Sequence, residues 1–279
     1  DCLFIRHGAA MNDFRGRIID SHAHIFPQKI ALKATESIGR FYGLAMARLG
    51  TTEELLKSGS KIGAARYVVS STATKREQVR AINSFIAEAA AKYPQFIGLM
   101  TLHQDMPLGE IEDEIGFAIQ NGLKGIKLHP DFQEIAIDDK RLYDIYGAAQ
   151  ERLPILIHTG DKRYSYSNPF RLAKVLREFP RLKVIAAHFG GYSEWDNLDC
   201  YEGLDNVYFD TCSSLTFLPR EKARDIISRF GAERFLFGTD FPMWSHEEEL
   251  KLLFGLGLSQ KELERILYKN AQKFYNITV

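Results

Sequence analysis

The sequence lacks the features that mark several large protein classes. It carries no excess of either charge, 36 Lys and Arg against 36 Asp and Glu in 279 residues, so no long-range field gathers nucleic acid or anionic lipid. No apolar run approaches the roughly 20 residues that span a bilayer, and no basic N-terminal region precedes a long apolar stretch. These absences exclude nucleic-acid and membrane partners from the expectation and leave a small-molecule substrate. The three cysteines, Cys2, Cys200 and Cys212, have neither zinc-finger nor disulfide-framework spacing, which fits a reducing compartment; the chain is read as cytoplasmic. It has no internal repeat and no Pro- or Ser-rich linker, so a single domain is expected. Its first strand is not followed by the phosphate-binding glycine turn that an open doubly wound sheet uses for nucleotides.

What is present is a core-forming composition, 45% apolar, arranged as alternating short β-type runs and amphipathic helix-length segments. Eight strands are predicted: Ile18–Ile25, Arg66–Ser71, Phe96–His103, Gly125–His129, Ile155–His158, Lys183–His188, Val207–Thr211 and Phe235–Asp240. Helices are predicted over Gln28–Leu56 with a break at Gly39–Gly43, and over Lys75–Tyr93, Leu108–Asn121, Asp139–Arg152, Pro169–Phe179, Ser193–Tyr201, Pro219–Phe230, His246–Phe254 and Ser259–Phe274. Eight βα units in about 250 residues is the arithmetic of an α/β fold of the (β/α)8 TIM-barrel type. The barrel is expected over residues 16–279, with 1–15 as an N-terminal extension that is either native or added. The forty or so residues between the first two strands are long for a βα connection and are expected to cap the barrel mouth. Within the extension, Arg6-His7-Gly8 is similar to the nucleophile loop of histidine phosphatases, but it lacks the fold context that loop needs.

Six of the eight histidines, His22, His24, His103, His129, His158 and His188, fall at C-terminal strand ends, the face on which barrel enzymes place their chemistry. His22 and His24 are two apart on one strand, so both side chains point the same way and one metal can bridge them. His158 ends the fifth strand and Asp240 the eighth. Imidazole and carboxylate donors suit zinc and related divalent ions, and a catalytic site keeps a position open beyond its protein ligands.

At Ile19-Asp20-Ser21-His22-Ala23-His24 the chain resembles the first-strand motif of the amidohydrolase superfamily, and the resemblance runs from Gly16 to Phe274. Gly125-Ile126-Lys127-Leu128-His129-Pro130, Ile157-His158-Thr159-Gly160 and Phe237-Gly238-Thr239-Asp240 are similar to the branch that holds aminocarboxymuconate-semialdehyde decarboxylase and benzoate-type decarboxylases alongside hydrolases and hydratases. The resemblance implies one divalent metal held by His22, His24, His158 and Asp240; the imidazole donors favour zinc, and manganese, iron, nickel or cobalt would accept the same set. The resemblance makes His188 an acid/base or substrate-polarising residue and lets Lys127 pair with a carboxylate of substrate or protein, while His129 is a candidate substrate contact by its strand-end position. Lys127-Leu128-His129-Pro130 also resembles the dihydroorotase Lys-Leu-Tyr-Pro motif, in which a carboxylated lysine bridges two metals; a second ion would then recruit His158 and His188. TatD-like nucleases share the His-x-His start, but the glutamate expected near a middle strand has no clear counterpart, and the neutral chain offers no phosphate track.

The expectation is therefore a metal-dependent hydrolase of a small amide, ester or lactone. In that scheme the metal lowers the pKa of its water, Asp240 takes the water proton, and His188 helps stabilise the oxyanion. The alternative is a non-oxidative decarboxylase of an aromatic or unsaturated acid, with Arg163 either anchoring a carboxylate or standing as a solvated loop charge. Trp195, Phe241, Met243 and Trp244 either wall an apolar pocket or pack the rim. His103 is a weaker candidate by position, and Asp210 either orients a histidine or satisfies loop backbone. A barrel that binds a ligand without turning it over is the non-enzyme alternative, and barrel habit allows a homodimer.

Overall fold

A computed structural model describes residues 13–279; the Arg6-His7-Gly8 motif and most of the expected extension lie outside the described residues. Eight strands alternate with helices: β1 Ile18–His24, β2 Ala64–Ser70, β3 Phe96–Thr101, β4 Gly125–Leu128, β5 Ile155–Ile157, β6 Val184–Ala186, β7 Val207–Asp210 and β8 Phe235–Leu236. They form one sheet in sequence order, β1 to β8, the order of a (β/α)8 barrel. Strands of such sheets are covered on both faces, which is why β3 to β6 read as unbroken buried runs.

The chain forms two compact units. One comprises the described residues up to Val69 together with Thr211–Val279. In it, β1 is hydrogen-bonded to the segment that follows β8. The N–H of Ser21 donates to Phe237 O (2.8 Å), that of Asp240 to His22 O (2.8 Å), and that of His24 to Phe241 O (2.7 Å). The helix Thr52–Ile62 packs against His246–Gly255. At Gly59 a Cβ would stand 2.1 Å from the Tyr67 hydroxyl, so the buried Tyr67 ring fits only because residue 59 has no side chain. Burial, with a lesser push from Asp20, raises the Tyr67 phenol above its ordinary pKa.

The other unit, Ser70–Asp210, carries β3 to β7 in continuous parallel register. Thr101 pairs with Lys127 and Lys127 with Leu156, and Ile157 pairs with Ala186. Helix Val79–Lys92 lies on β3, where the Asn83 amide takes the N–H of Thr101 (2.7 Å) and donates to Thr101 O (3.1 Å) and Glu114 (2.8 Å).

The predicted helix Gln28–Leu56 is two helices, Gln28–Tyr42 and Thr52–Ile62. Gly43 ends the first in the left-handed region (φ 66°), and the Thr51 hydroxyl accepts from Glu54 N (3.3 Å) to start the second. The predicted Ser193–Tyr201 helix is reduced to a 3-10 turn, Leu198–Tyr201; Ser193, at φ 60°, has left the helical region. The predicted Ser259–Phe274 helix is interrupted by a π-turn, Arg265–Lys269. A four-residue helix, Pro130–Gln133, was not expected.

Candidate metal centre

Strand β1 delivers His22, fully buried, and His24, partly exposed, on one face. The Asp240 backbone is tied to His22 O, so its carboxylate arrives beside both rings. His22 Nε2 lies 3.2 Å from His24 Nε2, and Asp240 Oδ1 lies 3.6 Å and 3.1 Å from the two nitrogens. Bonds of about 2.1 Å to nitrogen and oxygen would set neighbouring ligand atoms about 3.0 Å apart in an octahedral set and about 3.4 Å apart in a tetrahedral one. Two of the three observed separations, 3.1 and 3.2 Å, fall within that range and the third, 3.6 Å, lies about 0.2 Å above it, and two imidazoles with a carboxylate are the donor chemistry of a divalent transition metal. The residues fit the ion the sequence implies.

Behind these three side chains lies a buried polar frame. Asp20, fully buried, accepts from the backbone N–H of His22 (3.1 Å) and of Thr239 (3.0 Å) through Oδ1. Through Oδ2 it accepts from the Thr239 hydroxyl (2.6 Å), and His246 Nε2 stands 3.0 Å away. His246 Nδ1 in turn meets Ser58 Oγ at 2.9 Å. Asp20 therefore fastens the strand bearing His22 to the segment bearing Asp240. Ser213 Oγ donates to Asp240 Oδ2 (2.6 Å), Trp244 Nε1 donates to Ser213 Oγ (2.9 Å), and Cys212 Sγ lies 3.3 Å from His22 Nδ1. Asp240 and Ser213 both sit at positive φ, 52° and 53°, a backbone cost that persists only where surroundings demand it.

The second unit holds the remaining strand-end histidines, His103, His129, His158 and His188. His158 Nδ1 is 3.0 Å from His188 Nε2, His158 Nε2 is 3.2 Å from Asp131 Oδ2, and that oxygen accepts from Ser167 Oγ (2.6 Å). The His188 backbone N–H donates to Asp210 Oδ1 (2.7 Å), and Trp195 Nε1 to His188 O (2.9 Å). Asp210 thus satisfies loop backbone, one of its two expected roles. Trp195 fastens the His188 backbone, in addition to whatever surface it covers. His129, Asp131 and His158 bring ligand atoms within 4.8 Å of one another. The His129 and His158 rings are stacked, however, 7° from parallel with centroids 4.1 Å apart. Lone pairs lie in ring planes, so these two run side by side and do not converge on one ion. His129 Nδ1 instead accepts from Phe132 N (3.3 Å), capping the short helix.

The structure thus brings His22, His24 and Asp240 together in one unit, and His129, His158 and His188 in the other. Lys127 is buried in β4. Arg163 forks onto Asp161, with Nε 2.9 Å from Oδ1 and Nη2 2.6 Å from Oδ2. His103 lies in the loop after β3, where its Nδ1 accepts from Asp105 N (3.3 Å). Of the expected pocket-wall or rim residues, Phe241 is fully buried and stands 5.9 Å from the His246 ring, and Met243 Sδ is 3.7 Å from Ser213 Oγ. Sequence reading missed Cys212, Ser213, Asp131 and His246. A serine or cysteine one or two residues past a strand carries no motif, and His246 reads as an ordinary first-turn helical residue; only tertiary contacts reveal them.

This ordered eight-stranded βα sheet is a (β/α)8 fold of the barrel type, carrying a His-x-His pair and an aspartate after the last strand as a candidate metal site. The amidohydrolase family model matches residues 19–277. The chain belongs to that family. No curated protein matches it. Among solved structures it is similar to an uncharacterized TIM-barrel protein from Bordetella bronchiseptica, at 22% identity and TM-score 0.76 over 92% of this chain and 97% of that one. A dihydroxybenzoic acid decarboxylase from Polaromonas sp. JS666, with bound manganese and 2-nitroresorcinol, gives 17% identity and TM-score 0.72 over 94% and 97%. A putative 2-pyrone-4,6-dicarboxylic acid hydrolase from Pseudomonas putida gives 16% and 0.67 over 95% and 99%. Among the described residues no helix is long and apolar enough to cross a membrane.

Proposed function

We propose that this chain is a metal-dependent, non-oxidative decarboxylase of an aromatic or unsaturated carboxylic acid, with one divalent ion held by His22, His24 and Asp240. The observation that carries the reading is the mutual approach of those three donors to 3.1–3.6 Å. When bound, the ion supplies a positive, Lewis-acidic centre for substrate oxygens. Two neutral imidazoles and one carboxylate leave a divalent site with net positive charge, which favours an anionic substrate. Decarboxylases of aromatic acids recur among the structures of similar fold, and this moves the reading from the hydrolase expected first to the decarboxylase.

The chain's own part is to bind, orient and move a proton. Asp240 presents Oδ1 to the site while Ser213 holds Oδ2. His188 is the proton donor in this reading: the carbon–carboxylate bond breaks, carbon dioxide leaves, and the carbon takes a proton from the ring. His158, 3.0 Å away, and Asp210, on the His188 backbone, hold it in place. Arg163 already spends its fork on Asp161, so it anchors a carboxylate only by exchanging partners. The expected fourth ligand, His158, has its two nitrogens beside His188 and Asp131; its part in ion binding is read by substituting it. The same ion set accepts zinc or manganese.

The second reading is the hydrolase, in which Asp240 takes a proton from a water that attacks a lactone or ester carbonyl. A fold neighbour that is a putative pyrone-dicarboxylate hydrolase favours it. The test is turnover by metal-loaded protein of a panel of hydroxybenzoates, unsaturated dicarboxylates and carboxylated lactones. Carbon dioxide release, abolished by chelator and by His22→Ala or Asp240→Ala, is the expected result. Ring-opened product without carbon dioxide selects the hydrolase, and full activity in either variant overturns the metal centre.

A further inference from the structure

We infer that the Cys212-Ser213 segment after β7 is the positioning element of the metal centre: it dictates which atom of His22 and which oxygen of Asp240 can meet the ion. The inference rests on the metal reading above.

The direction of each hydrogen bond follows from the donor inventory. An indole N–H only donates, so Trp244 Nε1, 2.9 Å from Ser213 Oγ, must be giving its proton to that oxygen. The serine's own proton is then directed elsewhere, and Asp240 Oδ2, 2.6 Å away, accepts it. A hydroxyl polarised in this way and donating to a carboxylate makes a short, charge-assisted bond. Asp240 is left with Oδ1 facing His22 and His24 and is set up to bind through one oxygen.

The adjacent residue does the same for His22. Its Nε2 is the atom that converges with His24 and Asp240, so Nε2 carries the lone pair and Nδ1 the proton. That proton points at Cys212 Sγ, 3.3 Å away, a weak acceptor in a fully buried position. Ligand histidines are ordinarily fixed in this way through their second nitrogen, most often by a carboxylate or carbonyl; here a thiol takes that place.

The segment is itself held firmly. Thr211 N donates to Leu236 O (3.1 Å), Gly238 N to Thr211 Oγ1 (3.3 Å), and Ser214 Oγ to Cys212 O (3.0 Å). A Cβ at Gly238 would stand 3.0 Å from His22 Cβ and 3.6 Å from Cys212 Cβ, so the glycine lets this layer close onto β1. Ser213 adopts φ 53°, where a serine is uncommon and strained, and that conformation turns its hydroxyl onto Asp240.

The test is Mn²⁺ affinity by chelator competition, with Mn²⁺ electron paramagnetic resonance as a second readout, in the full chain. Ser213→Ala and Cys212→Ala should each weaken Mn²⁺ binding about 10–100-fold, with little change in the thermal midpoint of the ion-free protein. Cys212→Ser, which keeps an acceptor for Nδ1–H, should recover most of the loss. Trp244→Phe should weaken binding less than Ser213→Ala, and the double variant no more than Ser213→Ala alone. If Ser213→Ala fails to fold, Trp244→Phe and the two Cys212 variants carry the test. A parent protein that binds Mn²⁺ tightly, with Ser213→Ala and Cys212→Ala within about twofold of it, overturns this inference and leaves the metal centre standing. A parent that binds no divalent ion removes both.

Discussion

Replacing Asp20 should separate the frame of the site from its ligands. The carboxylate is fully buried and accepts from two backbone N–H groups and the Thr239 hydroxyl, with His246 Nε2 beside it. Asp20→Ala strands these groups where water does not reach. Each buried donor left without a partner costs about 1–3 kcal/mol, and breaking a buried charged network by removing one member costs about 3–5 kcal/mol. With about 2–4 °C per kcal/mol for a chain of this size, the midpoint should fall by roughly 6–20 °C. Calorimetry on chelator-treated protein isolates this from lost metal. Asp20→Asn keeps an oxygen for the N–H groups, and its amide can donate to His246 Nε2 when the Nδ1 proton is shared with Ser58, so it should lose about 2 kcal/mol at most. A fall under about 3 °C for Asp20→Ala, or an asparagine variant as damaged as the alanine one, would refute the reasoning.

Gly59→Ala should destabilise by about 1–3 kcal/mol, because the new methyl meets the buried Tyr67 hydroxyl at 2.1 Å; chemical denaturation measures it, and Tyr67→Phe in the same background should relieve part of the loss. Burial raises the phenols of Tyr67, Tyr146 and Tyr201 above their ordinary value. A raised folded pKa favours the neutral form, so this stability is fully present below the unfolded pKa of about 10 and is lost as pH rises above it, by about 1.4 kcal/mol per pH unit for each tyrosine. Absorbance titration should show these phenols ionising only with unfolding, and free titration near pH 10 in the folded protein would contradict their burial. Asp131→Leu should release the His158 ring from its 3.2 Å partner and, in the decarboxylase reading, lower kcat with a smaller change in KM; equal kcat would show that Asp131 does not act through His158.

How much was legible in the sequence differs from element to element. The eight strands were, because parallel strands covered on both faces must be short apolar runs, and the intervening helices announce themselves by periodicity. The pairing of His22 with His24 was legible too, because period two along a strand is a local property. The break near Gly43 was readable for the same local reason, whereas the loss of helix over Ser193–Tyr201 was not, since it depends on a left-handed Ser193.

What only the tertiary structure decided is the company each side chain keeps. Asp240 beside His22, 218 positions earlier in the chain, was an inference from strand-end position and resemblance; the backbone bond between them makes it geometry. Whether His129 could share an ion with His158 turned on a 7° ring angle, and whether Arg163 was free turned on Asp161. The roles of Cys212, Ser213, Asp20 and His246 arise from contacts between distant segments, and hydrogen bonds of that kind leave no period or spacing in a sequence. The sequence by itself determined which residue types stand at the strand ends. The folded chain decided which of their atoms face one another, because that depends on register, backbone conformation and burial summed over the whole molecule.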